Sequence, residues 1–172
     1  MKTVAELEQQ NMIWVRSGLG DTYELRAVDA DNPDAPGETL ATLTRHPFRL
    51  SATVEAPGNR WEFKQQGFWH WRVIIRSVGT GEEPAQLTIR GKSAVLVYPD
   101  GREYHWKSFA LGDRHWLWST GDDEPILGFH LRGLFQRRGE ISIDPELAEQ
   151  KAPTLLLFLG WYLILVYQSR SS

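Results

Sequence analysis

Near its C-terminus the chain runs Thr154-Leu-Leu-Leu-Phe-Leu-Gly-Trp-Tyr-Leu-Ile-Leu-Val-Tyr167 without a single charged residue. A helix built from this run is apolar on every side. It lacks the polar stripe of a surface helix and must be buried, in protein or in lipid. From Pro153 to Tyr167 there are 15 residues, which at about 1.5 Å each cover roughly 22 Å, short of the roughly 30 Å hydrocarbon layer of a bilayer. Length favours a core helix, with bounds 153–168. Lys151 and Arg170 stand where long side chains reach an interface, but Trp161 and Tyr162 sit mid-helix instead of in an interfacial belt. The competing reading is a C-terminal tail anchor below a cytoplasmic β domain.

Upstream, the residues read as short strands rich in aromatic and β-branched side chains, separated by Gly, Pro, Asn and Asp. Twelve segments qualify: Met12 to Arg16, Tyr23 to Val28, Thr39 to Thr44, Phe48 to Val54, Arg60 to Lys64, Trp69 to Arg76, Leu87 to Arg90, Ala94 to Tyr98, Glu103 to Ser108, His115 to Ser119, Ile126 to Arg132 and Glu140 to Ile143. Their even spacing points to a barrel or sandwich, and closing twelve strands leaves an interior that the apolar helix can fill. Pro99, Asp100 and Gly101 read as the turn of the clearest hairpin. On its return strand Tyr104 and Trp106 face one way and Glu103, His105 and Lys107 the other. Trp116 with Trp118, and Trp69 with Trp71, repeat that period of two. Asp144 and Pro145 read as the start of a short helix through Gln150. Residues 1–11 form a lead-in with no signal-peptide core, and 12–172 form a single domain.

Chemistry leaves few signals. The chain has no cysteine, which removes disulfides, thiolate metal sites and a catalytic thiol. Nineteen Lys and Arg against 22 Asp and Glu give a net charge of -3, not the balance of a nucleic-acid binder. Stacking of bases on Trp69 and Trp71 beside Arg72 needs exposed rings, which the alternation buries. Up to Gly58 the net charge is -4, and from Asn59 onward it is +1. His70, His105 and His115 each precede a Trp but show no metal-ligand spacing. The turn Gly121-Asp122-Asp123-Glu124-Pro125 lacks the periodic ligands of a calcium loop. Neither Gly18-Leu19-Gly20 nor Gly79-Thr80-Gly81 is followed by a phosphate-binding lysine, and Ser51, Ser93 and Ser142 lack a nucleophile-elbow context. The expectation is no enzyme, no metal and no small-molecule cofactor. One surface candidate remains. Arg132, Arg137 and Arg138 fall in a span from Phe129 to Gly139 with no acidic residue, interrupted by Leu134 and Phe135, a combination suited to anionic phospholipid head groups.

The order of these features resembles the tubby C-terminal-like superfamily, in its LURP-one-related and phospholipid-scramblase branch. The resemblance rests on Gly101-Arg-Glu-Tyr-His-Trp106, on Trp116 and Trp118, on Ile126-Leu-Gly-Phe129, and on Glu140-Ile-Ser-Ile-Asp144 leading into Leu155 to Val166. It spans Met12 to Tyr167. It implies a closed barrel of twelve strands around a hydrophobic C-terminal helix, a helix often mistaken in that family for a membrane span. Tubby domains bind phosphoinositide head groups through basic residues, and scramblases are linked to lipid movement and calcium. Neither ligand set aligns onto positions here, and the Cys-rich and Pro-rich segments of scramblases are absent. The resulting expectation is a cytoplasmic, non-enzymatic binding module, peripheral to a membrane and touching anionic phospholipid through Arg132, Arg137 and Arg138.

Overall fold

Twelve antiparallel strands close on one another in a computed structural model that describes residues 11–18, 20–28, 37–67, 71–108, 114–132, 138–143 and 154–171. They are β1 (Asn11–Arg16), β2 (Thr22–Val28), β3 (Thr39–His46), β4 (Ser51–Ala56), β5 (Asn59–Gln66), β6 (Trp71–Ser77), β7 (Gln86–Arg90), β8 (Ser93–Val97), β9 (Glu103–Ser108), β10 (His115–Thr120), β11 (Pro125–Arg132) and β12 (Arg138–Ile143). Each pairs with its sequence neighbours, and β1 pairs with β12 to shut the barrel, Met12 opposite Ile141 and Val15 opposite Arg138. Closure leaves no unpaired edge among the described strands for another chain to extend. The short helix expected over 144–150, Trp69, His70 and the lead-in 1–10 lie outside the described residues.

Alternation sets the wall. Leu43, Val54, Phe63, Ile75 and Leu96 point inward and are fully buried, while their strand neighbours are half-buried or exposed on the outer face. The expected turn at Pro99 to Gly101 forms, with Gly101 at φ 92° and its N–H donating to the Tyr98 carbonyl at 3.0 Å. Several boundaries shift by one or two residues, and one shifts by three. The strand expected from Phe48 starts at Ser51, because Pro47–Arg49 forms a single 3-10 turn and Leu50 closes it in the left-handed region at φ 51°. Proline fixes its own φ near the helical value and cannot donate to a ladder, so the chain turns there before pairing resumes.

The helix α1 (Leu155–Ser171) occupies the bore. Twelve strands about 4.8 Å apart and tilted roughly 40° close a ring about 24 Å across, and inward side chains leave about 12 Å, the girth of one helix. Every side of α1 meets the wall. Trp161 stacks on Trp14 of β1 at 5.9 Å and meets Tyr23 of β2 edge-on at 5.6 Å. Tyr162 packs on Phe63 of β5, and Tyr167 on Trp116 of β10. Trp118 Nε1 donates to the Leu156 carbonyl at 2.9 Å, pinning the first turn of α1 to β10. No helix among the described residues is long and apolar enough to cross a membrane. The apolar run is therefore the core of the barrel, the first of the two readings its length allowed.

Gly160 marks the closest approach of helix and wall. A Cβ there would lie 2.5 Å from the Phe129 ring and 3.0 Å from Trp118 Nε1. Alanine favours a helix over glycine by about 1 kcal/mol, but overpacking a filled core costs about 1–3 kcal/mol. We expect Gly160→Ala to be neutral or destabilising despite its better helix propensity, and Gly160→Val to lower the urea midpoint sharply. An increased midpoint for Gly160→Val would show that the wall yields at this point.

Candidate functional site

An up-and-down barrel sorts its connections by parity. The turns after β1, β3, β5, β7, β9 and β11 lie at one rim and those after β2, β4, β6, β8 and β10 at the other. The C-terminal end of α1 reaches the first rim, where Lys92 stands 5.5 Å from the Tyr167 ring centre. Charge follows the same parity. On the two terminal residues of each strand and in the described turns, the first rim carries Arg16, Arg45, Arg49, Arg72, Arg90 and Lys92 on its first eight strands. Lys107, Arg114, Arg132 and Arg138 complete it on the last four. Asp21 is the one acidic residue at these positions among the described residues, with Glu24 and Glu140 one position further along β2 and β12.

The opposite rim is the reverse. It carries Glu38, Glu55, Glu82, Glu83, Asp100 and Glu103, and then Asp122, Asp123 and Glu124 in the turn before β11. Its three arginines are each beside an acid: Arg60 with Glu55 at 3.6 Å, Arg76 with Glu83 at 3.8 Å and Arg102 with Asp100 at 2.7 Å. Hydrogen bonding from the Arg102 backbone and guanidinium holds the Asp100 carboxyl below its ordinary value. A chain of net charge -3 thus presents a strongly basic end and a strongly acidic one.

Of the three arginines singled out from sequence, Arg132 and Arg138 come together. They are direct cross-strand partners on the last rung of β11 and β12, both exposed. Like charges placed opposite each other disfavour the sheet, and Glu140 relieves this by accepting from Arg132 Nε at 2.9 Å. Arg137 lies outside the described residues. Next along the outer wall, His130 of β11 stacks on His115 of β10 with ring centres 4.1 Å apart. Loss of hydration, followed by the charges of His115 and Arg132, holds His130 below the ordinary histidine value.

Little else at this rim supports chemistry. A cavity of about 90 Å³ lies beside Pro47 and Leu50, lined also by His46, Gln65, Tyr162 and Ser169, well below the roughly 300–1,000 Å³ of a small-molecule site. Among the described residues no three His, Asp or Glu side chains are grouped to hold a metal ion. Arg45, Arg49, Lys92 and Arg114 were missed by a reading of local charge clusters, since no single connection carries more than two of the rim's basic residues outside the β11–β12 hairpin. Counting turns by parity along twelve antiparallel strands finds them. The chain matches no family model, no curated protein and no solved structure.

Proposed function

We propose that the protein is a non-enzymatic binding module of tubby-like build that contacts anionic phospholipid at a membrane surface through Arg132, Arg137 and Arg138, together with the basic residues that share a rim with Arg132 and Arg138. The observation that carries this reading is the segregation of charge: among the described residues, ten basic side chains and one acidic one occupy the strand ends and turns of a single rim, in a chain whose net charge is negative. The bore is filled by the chain's own helix, so recognition falls to the outer surface. Each basic residue close to an anionic leaflet is worth about 1 kcal/mol, fading within a Debye length of about 8–10 Å. A ring of them at one end meets a flat surface together, which the same charges scattered over a barrel wall do not.

Co-sedimentation with vesicles tests the reading. Binding to phosphatidylserine vesicles that weakens steeply with salt, with little binding to phosphatidylcholine alone, is the expected result. Equal and negligible binding to both overturns it. The histidine pair adds a pH dependence. His130 faces His115 on β10, Arg114 and Arg132 at the rim, and Glu140 on β12. Because its folded pKa lies below 6.5, the unfolded chain takes up more protons, and folding stability falls as pH drops through about 6.5. An anionic surface favours the protonated form, so vesicle binding strengthens over the same window. One added charge amounts to roughly fivefold in affinity. Comparing vesicle binding at pH 7.5 and 5.5 for the wild type and His130→Gln checks this, with a smaller pH difference expected in the variant.

A further inference from the structure

The 3-10 turn Pro47–Arg49 and the Leu50 that closes it stand at the basic rim, and they hold the most exposed large apolar side chain described. Phe48 is 104% exposed and Leu50 52%. Pro47 limits the backbone on one side, and the Leu50 N–H donating to the Pro47 carbonyl at 3.2 Å closes the turn on the other. The ring is therefore displayed by a defined turn, with Arg45 and His46 before it and Arg49 between the two apolar residues. Among the described residues, the exposed large hydrophobics at the opposite rim are the smaller Val78 and Val97, amid acids.

We infer that the barrel docks end-on, Phe48 and Leu50 entering the interfacial layer of an anionic bilayer while the arginines and lysines of the same rim lie on its head groups. End-on docking rests on the membrane-surface reading above and adds to it an orientation and an anchor. Charge complementarity selects the occupant, since the ring of cations around an apolar tip fits a negatively charged surface that is apolar just beneath. It also sets the pose, because the acidic rim is then held at the far end of the barrel, away from the anionic leaflet. A second copy offers its acidic rim as a rival partner, but such head-to-tail contacts do not close and lead to open stacks.

The absence of cysteine makes a clean test possible. Phe48→Cys and Val78→Cys, each labelled with an environment-sensitive fluorophore, are mixed with phosphatidylserine vesicles with and without nitroxide-labelled lipid, and bound protein is measured in parallel by sedimentation. End-on docking predicts a blue shift and nitroxide quenching at position 48 and neither at position 78. Sedimentation with vesicles while the label at 48 stays aqueous overturns the pose and leaves the membrane reading standing. Absence of sedimentation overturns both. A blue shift at 48 that grows with protein concentration in the absence of lipid identifies a second copy as the occupant and also overturns the pose. Phe48→Ala supplies the unlabelled counterpart: vesicle affinity should fall roughly thirtyfold with the urea midpoint unchanged. An unchanged affinity counts against insertion.

Discussion

Removing residues 153–172 will abolish folding of the entire chain, not only of its end. Eleven apolar side chains of α1, from Leu155 to Val166, are buried against the barrel wall. At about 1.5–3 kcal/mol for each buried side chain, their loss outweighs the roughly 5–15 kcal/mol by which a domain of this size is stable. The emptied bore has no compensating contact to offer, since Trp14, Phe63, Trp116 and Trp118 all pack on the helix or on neighbours that touch it. Near-ultraviolet circular dichroism and urea unfolding of the shortened chain are expected to show no cooperative transition. A tail anchor makes the opposite prediction, a β domain that unfolds cooperatively once the anchor is gone. That outcome would contradict the plugged barrel.

Neutralising four rim arginines, Arg49, Arg114, Arg132 and Arg138 to Gln, will lower affinity for phosphatidylserine vesicles by roughly a thousandfold, about 1 kcal/mol for each charge. All four side chains are exposed, and exposed substitutions of this kind change stability by about 0.5 kcal/mol or less each. The Arg132 pair with Glu140 is a surface ion pair, worth about 1 kcal/mol at most. The control is built into the fold. Converting Arg60, Arg76 and Arg102 to Gln makes the acidic rim more negative without touching the basic one, so its effect on vesicle affinity should be small. Equal losses from both sets would mean that net charge governs binding and that the rim has no special part. Vesicle co-sedimentation with urea unfolding as the stability check reads both.

The barrel was legible because its wall obeys a period of two interrupted by turn residues, and each of the twelve expected segments corresponds to a strand. Misplacing Phe48 in a strand followed from its aromatic character, which is a β signal in isolation. Pro47 and a left-handed Leu50 outweigh it locally, and the residue that looked like wall is a tip. The helix was legible as buried from its lack of a polar face, but contacts to β1, β2, β5, β10 and β11 were needed to place it inside protein. Charge was the least readable feature. Dividing the chain at Gly58 gave a faint asymmetry, because the real division runs between odd and even turns and appears only after the strands are folded up and down. Arg132 and Arg138 were found since they flank a single hairpin. Arg45 and Arg49 at one connection and Arg114 at another belong to the same rim while being distant in sequence from that hairpin.

Hydrogen exchange on the intact chain, with and without phosphatidylserine vesicles, probes the plug and the rim together. If the helix is barrel core, the amides of residues 157–166 exchange as slowly as those of Leu43, Phe63 and Ile75, through the same global opening, and vesicles leave them unchanged. New protection on adding vesicles should be confined to the basic rim, centred on Phe48 to Leu50. Helix amides that open independently of the barrel, or that change their exchange when vesicles are added, would contradict a plugged barrel docking by its rim.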